Sequence, residues 1–381
     1  MPAMVPVKKP KTYEKAAAVL RDAAAEGIVM PTGGGTKLEW GGPGEPRMML
    51  STSRLDRILE HNVGDLTTVV QAGVELAALK EALAKAGQML AIDPPLVKGA
   101  TVGGTLATAD SGPLRHRYGG PRDLVLGVTV ALTDGTVARA GGKVIKNVAG
   151  YDLAKLFTGS YGTLGVILEV ALRLHPLPAL TVTALGEAGD PQRVAAAASA
   201  VAHSAIEAQC IDVRWSEGRG AVLVQLAGTE ALAQTHEAVE LLEREGLAAS
   251  AVEDDGALWD EQRARQRLAG GTVVRVSGTQ VQLADQMRAA EAVGGDLVAR
   301  AAYGLAWIAL PEGDEPAAVE RLRRELAPSP CVVLDAPDLV RDGLDVWGVA
   351  PDAGALELMR RVKERFDPAG TCNQHKFVGG I

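Results

Sequence analysis

A chain of 381 residues, 47% hydrophobic and 23% charged, buries more than one core and is not a disordered segment. Its formal charge of -8 excludes the concentrated basic face that nucleic-acid binding needs, Lys8, Lys9 and Lys11 being a short solvated lead-in. The three isolated cysteines and six histidines fit neither a disulfide framework nor the spacing of zinc or iron–sulfur ligands, which excludes an autonomous metal centre. No apolar run approaches the roughly 20 residues of a bilayer span, and the start MPAMVPVKKPK lacks a signal-peptide apolar segment. The expectation is a cytoplasmic protein whose membrane association, if it has any, comes through partners.

In chain order, Thr12 is placed to cap a helix through Ala16, Val19 and Leu20 that ends at Gly27, followed by a strand and the glycine run Gly33–Gly34–Gly35. LTTVVQAG alternates as a strand, and Leu76, Leu79 and Leu83 form a helical stripe stopped by Gly87. This mixed pattern persists to Pro178 and defines a first domain over 1–178. From 179 to 345 the glycines thin and a cadence repeats. ALTVTAL, a helix, CIDVRW, AVLVQLAG, a helix and LAASAVE give β-α-β-β-α-β; TVVRVSG through CVVLDAP gives it again, the ferredoxin-like order twice. The segment 346–381 carries a helix with Leu356, Met359, Val362 and Phe366 on one face, stopped by Asp367–Pro368, and a tail expected to pack back on the first domain. The predicted class is α+β.

Glycine is dense but aperiodic between Gly99 and Val170, as where backbone takes positive φ or lets a ligand come closer than a Cβ permits. In TGGGTKL, Leu38 stands where the third glycine of a dinucleotide fingerprint belongs. Gly142–Lys143 is followed by Val144 and lacks the earlier glycine of a Walker A loop. What remains is a diphosphate held by successive backbone N–H groups of two loops far apart in sequence. FAD fits that description.

PTGGGTK, ATVGGTLATADSGPLRHRYGGPRDLVLG, KNVAGYDLAKLFTGSYGTLGV and RFDPAG together resemble the vanillyl-alcohol-oxidase-type (PCMH-type) FAD-binding family, and within it most closely the FAD-binding E subunits of glycolate oxidase. The resemblance covers the first domain and the tail. It implies a two-subdomain FAD-binding domain followed by the antiparallel-sheet domain. It also implies that Pro31, Thr32, Gly33, Gly34, Gly35 and Thr36 hold the pyrophosphate. Thr101, Val102, Gly103, Gly104, Thr105, Ala109, Asp110 and Ser111 would form the second wall along the pyrophosphate and ring. Gly159, Ser160, Gly162, Thr163, Gly165 and Val166 would border the adenosine and ribityl part.

Catalytic residues are harder to read. His116 and Arg117 meet either the flavin and an anionic substrate or a solvated surface. Lys146 either stabilises charge on a reduced flavin or serves a helix entry. Arg122–Asp123 reads as a structural ion pair, Asp152 as a cap, and His375 is a further candidate. His203 and His236 read as surface or packing residues. The H-G-D-G-N segment of catalytic D-type relatives is missing, and no convincing base stands out for a hydroxyl proton.

The resemblance therefore implies an FAD-binding subunit of a glycolate oxidase complex that oxidises a short 2-hydroxy acid. The alternative is a noncatalytic flavin-bearing or architectural subunit that supports a catalytic sister. Either way the implied partners are a D-type flavoprotein and an iron–sulfur subunit, since this chain has no cysteine cluster of its own. The first glycine loop lacks the histidine that some relatives bond to flavin, so FAD is expected to be noncovalent. Acid precipitation should release all flavin to the supernatant; yellow colour remaining with the pellet would contradict this.

Overall fold

The computed structural model describes residues 5–95, 98–143, 152–349 and 351–381. They divide into two units: residues 1–111, 118–177 and 350–381 in the first, and 112–117 with 178–349 in the second.

The first unit opens with β1 (Val7–Lys8), β2 (Val29–Thr32) and β3 (Met48–Ser51), paired in parallel in the order β1-β3-β2. Next come β4 (Ile58–Asn62), β5 (Thr67–Gln71), β6 (Gln88–Met89), β7 (Val125–Ala131), β8 (Val137–Gly141), β9 (Val166–Arg173) and β10 (His175–Pro176). β6 pairs with β10, and the other five form an antiparallel sheet in the order β4-β5-β9-β7-β8. The helix Tyr13–Ala23 starts where the Thr12 hydroxyl accepts the Lys15 N–H at 3.3 Å. Its Ala16, Ala17, Leu20 and Ala23 lie on one face and pack with Val29, Leu50, Leu55, Ala131, Val166 and Leu168. One core therefore joins strands of the parallel and antiparallel sheets. In the helix Leu76–Ala84 the stripe Leu76, Leu79 and Leu83 is buried, as its spacing predicts.

The second unit holds β11 (Thr181–Ala188), β12 (Cys210–Ser216), β13 (Arg219–Ala227), β14 (Ala248–Val252), β15 (Thr272–Ser277), β16 (Asp296–Arg300), β17 (Leu305–Leu310) and β18 (Cys331–Asp335). They make one antiparallel sheet in the order β14-β11-β13-β12-β16-β17-β15-β18. Each half is a ferredoxin-like β-α-β-β-α-β unit, and the halves join along β12 and β16, their corresponding second strands. The first half turns between β12 and β13 through Glu217 and Gly218 at φ 50° and 74°, the two-residue geometry that matches hairpin twist. Alternate residues such as Val213, Val222, Ala299 and Ile308 belong to the core shared with the helices. The other sheet face is partly polar, and the helix Gly256–Ala264, which the periodicity does not reveal, packs on it. Trp259 donates to Thr183 Oγ1 at 2.8 Å, and Gln262 to Asp212 Oδ2 at 3.0 Å. At the seam, Arg300 Nη1 lies 2.6 Å from Asp212 Oδ2, both side chains buried.

The C-terminal helix Ala353–Phe366 and the residues after it return to the first unit, as expected. Lys363 Nζ, buried, donates to Thr163 O at 2.7 Å, Asp367 Oδ2 at 2.6 Å and Cys372 O at 2.8 Å. Three acceptors match its three protons. The Asp367 carboxylate also accepts the Thr371 and Cys372 N–H groups. Beyond it, Val29 N–H donates to Thr371 O and Asn373 N–H to Val29 O, so the tail runs beside β2. Removing one partner of a buried pair leaves the other charge uncompensated. Asp367→Ala should therefore lower the stability of the first unit by about 3–5 kcal/mol in denaturant unfolding, against less than about 0.5 kcal/mol for Arg21→Ala on the exposed Arg21–Asp22 pair. Equal effects would contradict the account.

Candidate cofactor-binding site

β2 ends at Thr32, whose carbonyl is held by the Thr52 N–H at 2.9 Å, and the chain leaves it as Gly33–Gly34–Gly35–Thr36. This loop lies against a second one leading into the helix Val102–Thr108. A Cβ on Gly33 would overlap the Thr101 hydroxyl, and a Cβ on Gly34 would overlap the carbonyl of Gly99. Gly35 adopts φ 78°, which an L side chain rarely takes. Gly103 is equally confined, since its Cβ would stand 2.6 Å from that of Ala72. The Thr101 hydroxyl accepts the Gly104 N–H at 3.3 Å and so fixes the turn into the helix.

The third wall is the loop between the helix Leu153–Phe157 and β9. Gly159 N–H donates to Leu106 O at 2.9 Å and Tyr161 N–H to Ala107 O at 2.8 Å, which ties the loop to the helix Val102–Thr108. Gly162, at φ 72°, packs beside the Pro31 ring. The tail supplies the fourth wall. Asn373 Nδ2 donates to Tyr161 O at 2.6 Å, Lys376 Nζ to Leu38 O at 2.8 Å, and Gly42 N–H to Lys376 O at 2.9 Å.

Together these walls bound a cleft that is partly open to solvent. Pro31, Thr32, Gly33, Gly34, Gly35, Thr36, Thr101, Gly103, Gly104, Gly162, Gly165 and Val166 line it, all of them singled out by the sequence. Val102 and Thr105 are buried. Ala109 ends the helix in the left-handed conformation at φ 50°. Asp110 and Ser111 are buried beyond it. The Ser160 and Thr163 hydroxyls donate to Phe157 O and Ser160 O, both at 2.8 Å, bonds that shape the third loop. Sequence reasoning missed Lys37, Trp40, Tyr161, Asn373 and Lys376, which also line the cleft. Only Lys37, next to the glycine run, carried a readable signal.

The cleft is lined by glycine backbone, by Thr32, Thr36, Thr52, Thr101 and Thr108, and by two lysines. Met30, Trp40, Tyr161 and Ile167 line it beside them. Backbone amides with cations suit a diphosphate, and the apolar residues suit a flat ring. Residues 6–141 match the family described as the FAD binding domain. This match supports FAD as the cofactor.

Three curated proteins show how far the likeness extends. The chain is 40% identical over 159 residues to glycolate oxidase subunit GlcD of Bacillus subtilis, covering 41% of this chain and 34% of that one. It is 42% identical over 122 residues to glycolate oxidase subunit GlcE of Escherichia coli, covering 32% and 35%. To the mitochondrial D-lactate dehydrogenase [cytochrome] of Arabidopsis thaliana it is 35% identical over 179 residues, covering 46% and 31%. The matched part thus spans about a third of the length of these relatives. Among solved structures, alkyldihydroxyacetonephosphate synthase superposes with a TM-score of 0.73 at 16% identity, over 96% of this chain and 75% of that one. The fold is the vanillyl-alcohol-oxidase-type FAD-binding fold followed by an antiparallel-sheet unit.

His116 and Arg117 belong to the second unit. The His116 ring meets Tyr303 edge-on at 6.5 Å, and burial, then the Arg117 charge, hold its pKa below the ordinary imidazole value. Arg117 pairs with Glu207 at 3.0 Å in an exposed position. Lys146 lies outside the described residues. His375 is exposed. Asp123 accepts the Gly120 N–H at 2.8 Å, so its contact is a cap for Pro121–Leu124. Asp152 precedes the helix Leu153–Phe157 without a side-chain cap and pairs with Lys155 at 3.2 Å. His203 and His236 are exposed on the second unit. Among the described residues, no group of three His, Cys, Asp or Glu could hold a metal ion, and no helix is long and apolar enough to cross a membrane.

Gly34→Ala places a methyl group on the Gly99 carbonyl. The purified variant should carry less than about a tenth of the FAD of the unmodified chain, given the 1–3 kcal/mol typical of overpacking, while retaining its circular-dichroism spectrum. Full flavin content would contradict the loop-against-loop geometry.

Proposed function

We propose that this chain is the FAD-binding subunit of a glycolate oxidase complex, which converts glycolate or a similar short 2-hydroxy acid to the 2-oxo acid. The observation that carries this reading is the cleft built from two glycine loops, in a chain whose FAD-binding domain is similar to subunits named for glycolate oxidation. Gly33–Thr36 and Thr101, Gly103 and Gly104 would hold the diphosphate, and Gly162, Gly165 and Val166 would border the rest of the cofactor. Pro31 and Thr32 set the first loop. Val102, Thr105, Ala109, Asp110, Ser111, Gly159, Ser160 and Thr163 support these walls from behind. Bound FAD would supply the acceptor for the hydride that leaves the substrate carbon.

Oxidation of an α-hydroxy acid also needs a base within hydrogen-bond reach of the hydroxyl. Among the described residues that line the cleft, the titratable groups besides Tyr161 are Lys37 and Lys376. This favours a second reading. Here the chain bears flavin and passes electrons while a D-type flavoprotein partner binds the substrate and an iron–sulfur subunit accepts the electrons.

Anaerobic glycolate added to the FAD-loaded chain separates the readings through the flavin's visible absorbance. Bleaching of the isolated chain supports oxidation at this subunit. Bleaching of both flavin equivalents only when the D-type partner is present supports the second reading. Bleaching in neither case, with glycolate, D-lactate or D-2-hydroxyglutarate, would contradict both.

A further inference from the structure

Within the FAD-binding cleft, charge is placed with a direction. Lys37 follows the first glycine loop directly, and its side chain is 5% exposed. Its Nζ lies 3.1 Å from Asp110 Oδ2, whose side chain is 2% exposed. Lys37 lines the cleft, whereas Asp110 does not. The ammonium also stands 5.8 Å from the centre of the Trp40 ring, within cation–π range. Taking two charges out of water costs several kcal/mol per ion, and a well-packed hydrophobic pair is often at least as stable. A buried pair whose cation faces the cleft and whose carboxylate stands behind it is thus poorly explained as a stabilising device. It is well explained if an anion belongs in front of the lysine.

The second glycine loop and its helix bring Asp110 to this place. Ala109, in the left-handed conformation, turns the chain at the end of the helix, and Asp110 N–H donates to Thr105 O. From the tail, Lys376, 6% exposed, brings a second ammonium to the same loop through its bond to Leu38 O. Two ammonium groups thus stand beside the glycine backbone, and a diphosphate is the part of FAD that matches them.

We propose, on the basis of the FAD assignment to this cleft, that Lys37 is a diphosphate-binding residue held in place by Asp110. A charge-assisted contact of this kind contributes about tenfold to a hundredfold in affinity. Neither the flavin ring nor the adenine depends on it.

The test uses the full chain stripped of flavin, titrated with FAD, ADP and riboflavin. Lys37→Met should weaken FAD and ADP, which both carry the diphosphate, by about tenfold to a hundredfold. Riboflavin, which has no phosphate, should bind it unchanged. Lys37→Arg, which keeps the charge, should recover most of the FAD affinity. The paired variant Lys37→Met with Asp110→Asn removes both charges, leaves no lone buried carboxylate, and should show the same selective loss even where the single variant folds poorly. Unchanged FAD affinity in the paired variant, or equal weakening of riboflavin, would overturn the role of Lys37. An unmodified chain that binds neither FAD nor ADP would instead overturn the FAD assignment on which it rests.

Discussion

The candidate cofactor cleft depends on two stretches of bare backbone lying closer than side chains permit. Gly33 and Gly34 rest on Thr101 and the carbonyl of Gly99 with no volume for a Cβ. Each loop is the other's floor, and neither could present its amides without its neighbour. The parallel pairing of β2 with β3 places the first loop, and the Thr101 bond to Gly104 N–H places the second. Glycine is costly in conformational entropy, so such density is retained only where backbone must make the contact.

The tail makes this arrangement a closed one. Lys363 and Asp367 hold each other and bond to Thr163, Thr371 and Cys372. The same stretch then sets Asn373 on Tyr161 and Lys376 on Leu38. Tyr161, Asn373 and His375 all adopt positive φ, at 56°, 44° and 71°. Strained backbone of this kind persists where surrounding bonds over-determine it. It gathers here beside the cleft, which links the folding of the last residues to the shape of the candidate site.

Much of this was readable in the sequence because it follows short-range rules. Period-two runs and period-3.6 stripes outline the two ferredoxin-like halves, and Glu217–Gly218 marks their first hairpin. The glycine runs that line the cleft announce themselves by composition. What escaped was set by distance in space. Asn373 and Lys376 reach the cleft because the tail runs beside β2, and no local pattern encodes that neighbour. The Asp212–Arg300 pair joins residues on strands from opposite repeats. The helix Gly256–Ala264 packs through the polar contacts of Gln262 and Trp259, so a search for apolar stripes passes over it. Asp123, next to Arg122, suggested an ion pair, yet the Gly120 amide competes for the same carboxylate.

The most direct measurement is an experimental structure of the full chain with FAD bound. The account predicts one FAD whose diphosphate lies between Gly33–Thr36 and Thr101–Gly104, with no bond from protein to flavin. A diphosphate located elsewhere, or FAD held by a covalent link, would contradict it.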